Sequence, residues 1–282
     1  MEWQENTLSS SDGTRLVTGT VPATQIENAP TLVFVHGAFE HYRRFAALAG
    51  ELAELGFNVL AYDQRGHGKS GGTRMYLSAF EEYLHDLDTV LNAHQQQLQN
   101  GFALLGHSMG GLVVLRHRQT RRDTALQPKL TVLSSPFLGV AAPIPAWKKT
   151  LSKVVVNVLP KISVPADLDP AFLSHDKAVV AAYRNDPLVQ TKATAGWFEN
   201  ILKAQQNALA AAEKTPDPLH ILMAGTDKLV SVEATKQFAQ KMGRQKTVHL
   251  KEYPALYHEI FNETDDRSPV EDLKGLLKAE FF

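Results

Sequence analysis

The stretch LLGHSMGGLVVLRH, residues 104–117, runs from one apolar segment through a serine flanked by glycines into a second apolar segment. Gly106, His107, Ser108, Met109 and Gly110 fit G-x-S-x-G, the pattern of a strand-to-helix turn sharp enough to hold a serine hydroxyl clear of a sheet. Leu104 and Leu105 supply the strand side, and Leu112, Val113, Val114 and Leu115 the helix side. Both contexts that give the pentapeptide its meaning are therefore present. A small residue at an ordinary strand–helix junction is the bland alternative, and the rest of the chain has to decide between them.

Outward from that turn, TLVFVHG (31–37), NVLAYD (58–63), FALLGHS (102–108), LTVLSSP (130–136) and LHILMAGTD (219–227) are short apolar runs ending in turn residues. They read as strands buried on both faces, hence parallel. Between them, Phe80, Leu84, Leu87, Leu91 and Leu98 recur at helical spacing, with Glu81, Glu82, Asp86 and Asp88 towards the N-terminal end. Arg44 to Leu55 repeats the pattern more briefly. Alternating strands and helices predict a doubly wound, mostly parallel sheet with helices on both faces, whose ligands bind beyond the carboxyl ends of the strands. Trp3–Leu8 and Arg15–Thr20, flanking SSSDGT, predict an antiparallel hairpin at one edge. TVHLKEY (247–253) reads as the last strand, and a closing helix begins near Pro269.

One connection is too long. From Pro136 to Leu219 the chain spends roughly eighty residues where a crossover needs a dozen or so. That predicts an inserted, mainly helical cap over 137–210, with the core formed by 1–136 and 211–282. A chain of 282 residues with 44% hydrophobic content suits one domain carrying such an insertion. Its 29 Lys and Arg against 30 Asp and Glu give no overall field to recruit nucleic acid. The absence of cysteine excludes disulfides, thiol catalysis and thiolate metal sites. The polar, acidic start and the lack of any apolar run of about 20 residues predict a cytoplasmic protein without a signal or membrane span.

A serine hydroxyl is a weak nucleophile and needs a base within hydrogen-bond reach and a third group to orient that base. His249 lies in a predicted strand, His94 and His117 in predicted helices, and His41, His67 and His85 precede the elbow. His258, in YPALYHEIFNE after the last strand, is on a loop that returns to the same sheet edge. Asp227 follows the penultimate strand, and the competing reading is that it is a helix N-cap before KLVSVEAT. Ser108, Asp227 and His258 fall in the order Ser, Asp, His. Acyl transfer also builds charge on a carbonyl oxygen. The backbone N–H of Met109, just after the nucleophile, is one candidate donor, and position assigns the other to Ala38, first after His36 and Gly37.

Two other motifs fail. HGKSGG (67–72) contains the Gly-Lys-Ser of a phosphate loop, but Asp63 stands where its first glycine belongs and no helix pattern follows. HEIFN (258–262) begins like a zinc helix, with Asn262 in place of the second histidine. Neither a cofactor nor a metal is expected.

With these residues in hand the chain resembles the α/β hydrolases of the monoacylglycerol lipase and lysophospholipase family. The resemblance is carried by VHGAFEHYRRF (35–45), AYDQRGHGKSGG (61–72), LLGHSMGG (104–111), GTDKLV (225–230) and YHEIFNE (257–263), in the family's order. DPAFLSHDKAVVAAYRNDPLV (169–189) looks like the cap of bacterial members. The resemblance implies hydrolysis of a carboxylic ester bearing one acyl chain, with the cap over Ser108. It gives Ser108 as nucleophile, His258 as base, Asp227 as its partner, and the Ala38 and Met109 amides as oxyanion hole. Phe39 departs from the small residue associated with that loop position and would narrow the approach to the scissile bond.

Within the insertion, Trp147, Leu151, Val154, Val155 and Val158 recur at helical spacing beside Lys148, Lys149, Lys153 and Lys161. Such a stripe ordinarily packs over a core or lines an acyl pocket. The alternative is a basic amphipathic helix making transient contact with a lipid surface, which would leave a cytoplasmic protein peripherally attached. A capped aminopeptidase, a small-ester esterase, an acyltransferase and a noncatalytic ligand-binding protein remain competing readings. The lipid ester is the expected partner; oligomeric state is not legible.

Overall fold

The computed structural model describes residues 2–24, 26–121, 125–142, 158–166, 168–243 and 247–282. Each apolar run forms a strand. In chain order these are β1 (Gln4–Ser9), β2 (Arg15–Val21), β3 (Thr31–Val35), β4 (Asn58–Tyr62), β5 (Phe102–His107), β6 (Leu130–Ser134), β7 (Ser163–Pro165), β8 (Lys192–Thr194), β9 (Leu219–Ala224) and β10 (Val248–Tyr253). Among the described residues one eight-stranded sheet has the order β1-β2-β4-β3-β5-β6-β9-β10. β1, β2 and β4 pair antiparallel, as the predicted edge hairpin requires, and the remaining pairs are parallel.

The two-fold alternation of a strand divides the core. Val33 and Val35 of β3, with Leu104 of β5, point into one apolar cluster. Leu32 and Phe34, with Ala103 and Leu105, point into the other. Helices cover both. On the second face, α1 (Ala46–Glu54) contributes Leu48 and Leu52, and the closing helix contributes Val270, Leu273 and Leu277. On the first lie α2 (Glu81–Ala93), with Leu84, Leu87 and Leu91, and α4 (Met109–Thr120), with Leu112 and Leu115.

The helix expected over 80–98 is interrupted. His94 leaves helical geometry (φ −110°, ψ 18°) and its Nδ1 meets the Val90 carbonyl at 2.8 Å, so a separate turn, α3 (Gln95–Leu98), follows. Likewise the predicted helix from Arg44 starts as a 3₁₀ turn, Tyr42–Phe45, before α1.

The long connection leaves from β6 and returns at β9, its neighbour in the sheet. It meets the loop that follows β3, where the Gln190 N–H donates to the Phe39 carbonyl at 2.9 Å. Its described part contains the antiparallel ribbon β7–β8, a 3₁₀ turn at Pro170–Phe172, α5 (Lys177–Asn185) and α6 (Ala195–Ala210). The ribbon has no counterpart in the helical reading, because three-residue strands carry too little periodicity to register. Helix α6 buries Trp197, Ile201, Ala204 and Ala208 in the same cluster as α4. Thr194 caps it, accepting the Trp197 amide at 3.1 Å. Beyond it come α7 (Val232–Met242) and α8 (Ser268–Phe281), the closing helix. Of the stripe read at 147–158, only Val158 is among the described residues, and it is exposed. Among the described residues no helix is long and apolar enough to cross a membrane.

Candidate active site

Ser108 is the single residue between β5 and α4, with φ 51° and ψ −117°. A side-chain-bearing residue in that region stores on the order of 1–3 kcal/mol of strain. The surroundings hold it there: its N–H donates to the Ser134 carbonyl at 2.9 Å, and its carbonyl accepts from Leu112 and from Phe137 at 3.2 and 2.9 Å. The flanking glycines are needed for close approach, not for their own dihedrals. A Cβ on Gly106 would collide with the Gly110 carbonyl, and one on Gly110 with the carbonyls of Val35 and His36. The strain falls on the serine, and the glycines give it room.

The N–H of Met109 opens α4 and, as the first amide of a helix, has no acceptor within it. The loop after β3 lies against the serine, since a Cβ on Gly37 would stand 3.1 Å from that of Ser108. This brings the Ala38 segment to the elbow. His36 shapes the loop from inside. Its Nε2 accepts the Gln64 N–H at 3.0 Å, so its proton is on Nδ1, which donates to the Gly37 carbonyl at 2.7 Å. Burial pushes this imidazole down to about 3, so it is neutral in the folded protein. Phe39 has φ 67° and packs edge-on against Trp197, ring centroids 5.5 Å apart.

His258 and Asp227 meet at 2.6 Å, Nδ1 to Oδ2, both buried. The other oxygen of Asp227 accepts the Leu229 and Val230 amides, each at 2.9 Å. The helix cap of α7 is Ser231, which accepts from Ala234 at 3.1 Å. Asp227 is thus fixed by its own turn, leaving one oxygen for the imidazole. With Nδ1 donating, a neutral His258 presents Nε2 as an acceptor. Burial lowers its pKa, but the charge and hydrogen bond of Asp227, with Glu259 and Glu40 behind, outweigh this and raise it above the ordinary histidine value. Asp227 is likewise pushed up by burial and brought below the usual aspartate range by His258 and its two amides. The ring of His107, beside Ser108, lies 4.9 Å from that of His258 and closes the gap between elbow and histidine loop. Burial first, then the neighbouring His258, hold His107 well below ordinary titration.

Three charged residues that the sequence reading passed over are built into this site. Arg44 bonds Glu40 at 2.5 Å and takes Glu259 bidentately at 2.5 and 2.9 Å. Glu40 also accepts the Gly37 N–H at 2.6 Å. Burial raises both carboxyls. Arg44 overcomes that for Glu259, which lies below the usual range, whereas Glu40, facing the Glu259 charge, is left raised. Glu40 and Arg44 stand one helical turn apart in HGAFEHYRRF, a legible signal; Glu259 is 215 residues further along, which is not.

Glu263 is a fourth such residue. It accepts from Ser174 Oγ and the His175 N–H at 3.0 Å each, from His175 Nδ1 at 2.8 Å and from the Tyr257 N–H at 3.1 Å. The Glu259 N–H donates to the Leu173 carbonyl at 2.8 Å. The histidine loop is therefore stitched to residues 173–175 of the insertion. Among the described residues no group of three or more histidine or acidic side chains is arranged to hold a metal ion.

These residues can take a proton from a hydroxyl, hold the imidazolium that results and offer amide donors next to it. A family model described as serine aminopeptidase, S33, matches residues 27–265. A monoacylglycerol lipase of Mycolicibacterium smegmatis is 32% identical over 250 residues, 87% of this chain and 87% of that protein. An abhydrolase domain-containing protein of Dictyostelium discoideum is 28% identical over 85% of this chain, which spans only 25% of that protein. The crystal structure of a monoacylglycerol lipase from Paleococcus ferrophilus superposes with a TM-score of 0.80 at 27% identity, covering 99% of this chain and 100% of that one. On the extent of these matches, the chain belongs to the α/β hydrolases of the serine aminopeptidase S33 family, in its monoacylglycerol lipase group.

Proposed function

We propose that this protein is a serine carboxylic-ester hydrolase that cleaves lipids bearing one acyl chain, monoacylglycerol or lysophospholipid, through an acyl-enzyme. The observation that carries the reading is the buried His258–Asp227 pair, at 2.6 Å, whose imidazole lies 4.9 Å from the ring of His107, the neighbour in sequence of a serine held at positive φ on a strand–helix elbow. Ser108 Oγ attacks the ester carbonyl while Nε2 of His258 takes its proton. The oxyanion lies between the amides of Met109 and Ala38. The imidazolium, held by Asp227, returns the proton to the leaving alcohol and then draws one from water to release the fatty acid. Losing one oxyanion donor typically removes about 2.7–4 kcal/mol of transition-state stabilisation.

An aminopeptidase reading is favoured by the description of the family model, and it needs a carboxylate to hold the substrate ammonium. Among the described residues, Asp227 is engaged by the His258 ring, and Glu40 and Glu259, whose charges also act on His258, are both taken by Arg44. The ester reading stands ahead for that reason. Residues 137–210 act as a cap over Ser108 in this scheme, and Phe39 against Trp197 limits the bulk admitted near the scissile bond. Val158, Leu159, Ile162 and Val164 are exposed on the same insertion, which supports transient contact with a membrane surface.

Ser108→Ala is expected to abolish ester hydrolysis and fluorophosphonate labelling while the protein stays folded; activity retained in that variant refutes the mechanism. A panel of p-nitrophenyl esters of increasing chain length, with monoacylglycerol, lysophosphatidylcholine and an aminoacyl-naphthylamide, separates the lipid, small-ester and peptidase readings. For the membrane contact, co-sedimentation with liposomes should fall on Trp147→Ala and Lys149→Glu, and wild-type protein that stays in the supernatant with both anionic and neutral liposomes removes it.

A further inference from the structure

Two loops that the proposed chemistry must keep in register come from opposite ends of the chain. One carries Gly37 and Ala38, the other His258. Glu40 receives the Gly37 N–H at 2.6 Å, and so fixes the peptide plane immediately before the Ala38 amide. Glu259 adjoins His258. Between the two carboxylates lies Arg44, 7% exposed, bonded to Glu40 through Nη1 and to Glu259 through Nη1 and Nη2. Its guanidinium carbon also sits 4.6 Å from the centre of the Tyr183 ring on α5. We infer that Glu40, Arg44 and Glu259 are positioning residues, a buried brace that sets the oxyanion-hole loop against the histidine loop.

A fully buried ion triad is a poor source of stability, because desolvation of the charges offsets most of their attraction, and uncharged replacements of similar size are often neutral. Geometry is a better return. A planar guanidinium fixes two carboxylates at defined angles, which a lysine or an apolar contact does not. Catalytic donors displaced by even 1 Å lose much of their effect. The brace rests on the proposed function, since it positions groups of that mechanism.

The test measures kcat and KM for a p-nitrophenyl ester, with thermal melting as a check on folding and Ser108→Ala run beside it. Glu40→Ala removes the acceptor of the Gly37 N–H; kcat should fall roughly tenfold to a hundredfold, less than for a missing oxyanion donor, with KM within about threefold. Glu40→Gln keeps an acceptor oxygen and should recover kcat to within about threefold of wild type. The triple variant Glu40→Gln, Arg44→Met, Glu259→Gln discharges the brace together, and should melt near the wild type yet lose about tenfold or more in kcat. Folded Glu40→Ala with wild-type kcat, or a folded triple variant as active as Glu40→Gln, overturns the brace. If the triple variant does not fold, the contrast between Glu40→Ala and Glu40→Gln decides. Retained activity in Ser108→Ala would instead overturn the proposed function, whatever the brace variants do.

Discussion

Asp227 sets the electrical environment of the residue it holds. Burial alone would keep His258 neutral to low pH, and the carboxylate reverses this. A charged His258 cannot accept the serine proton, so kcat/KM should rise with pH through a pKa above 6.5, the ordinary histidine value. In Asp227→Asn the burial effect is left less opposed, and the limb should move to lower pH while kcat drops by about 10⁴ as the tautomer is lost. A pH–rate profile of both proteins checks the sign; an unmoved limb would mean that another group titrates. At this scale much of the site was legible. Ser108, Asp227 and His258 stood out because strand ends and chain order single them out, and the fold brings His258 and Asp227 into contact. Glu40, Arg44, Glu259 and Glu263 did not, since a charged residue in a short motif looks like solvated surface until its distant partner is known.

Among elements, the segment 173–175 has the most to show. It has no regular structure, yet Glu263 gathers four donors there and behind it. Glu263→Ala takes their acceptor from the part-buried His175 and Tyr257 amides, while Ser174 Oγ keeps the Asn262 carbonyl and His175 reaches solvent, so the cost should be about 1–3 kcal/mol. Thermal melting should register it as a drop of several degrees, together with earlier proteolysis near Ser174; an unchanged melting curve would show that water replaces the carboxylate. Strands and helices were legible from periodicity because sheet and helix faces are buried regularly. What broke the pattern was local. His94 stops one helix with its own ring, and the β7–β8 ribbon is too short to leave a period in the sequence.

For the whole molecule, buried neutral histidines are one source of sensitivity to acid. Burial holds His36 and His67 at about 3, with His107 also well below its ordinary value. An unfolded chain protonates them near 6.5 and the folded one does not. Their contribution is therefore complete above about pH 6.5 and lost as pH falls towards 3, at about 1.4 kcal/mol per pH unit for each group. His258, raised rather than lowered, has the opposite sign: its contribution is present below 6.5 and fades as pH rises through its folded pKa. Urea midpoints should therefore decline steeply between pH 6.5 and 4, and a flat profile there would show that these rings reach solvent. The parallel sheet and the oversized insertion were legible at this scale from the order of apolar runs and one abnormal connection. The way the insertion seats on the core was not, because it depends on contacts between segments nearly ninety residues apart.

Those contacts bear on how such enzymes diversify. Exchanging residues 137–210 for the equivalent segment of a relative looks modular, since both ends leave from neighbouring strands. Glu263 and the Leu173 carbonyl lie on opposite sides of that cut and serve each other's loops. A transplanted segment that lacks a hydroxyl at 174 or a ring donor at 175 would arrive with the wrong seam. The heritable unit is therefore the segment plus YHEIFNE at 257–263, and chimaeras that carry both should outperform those that carry either one.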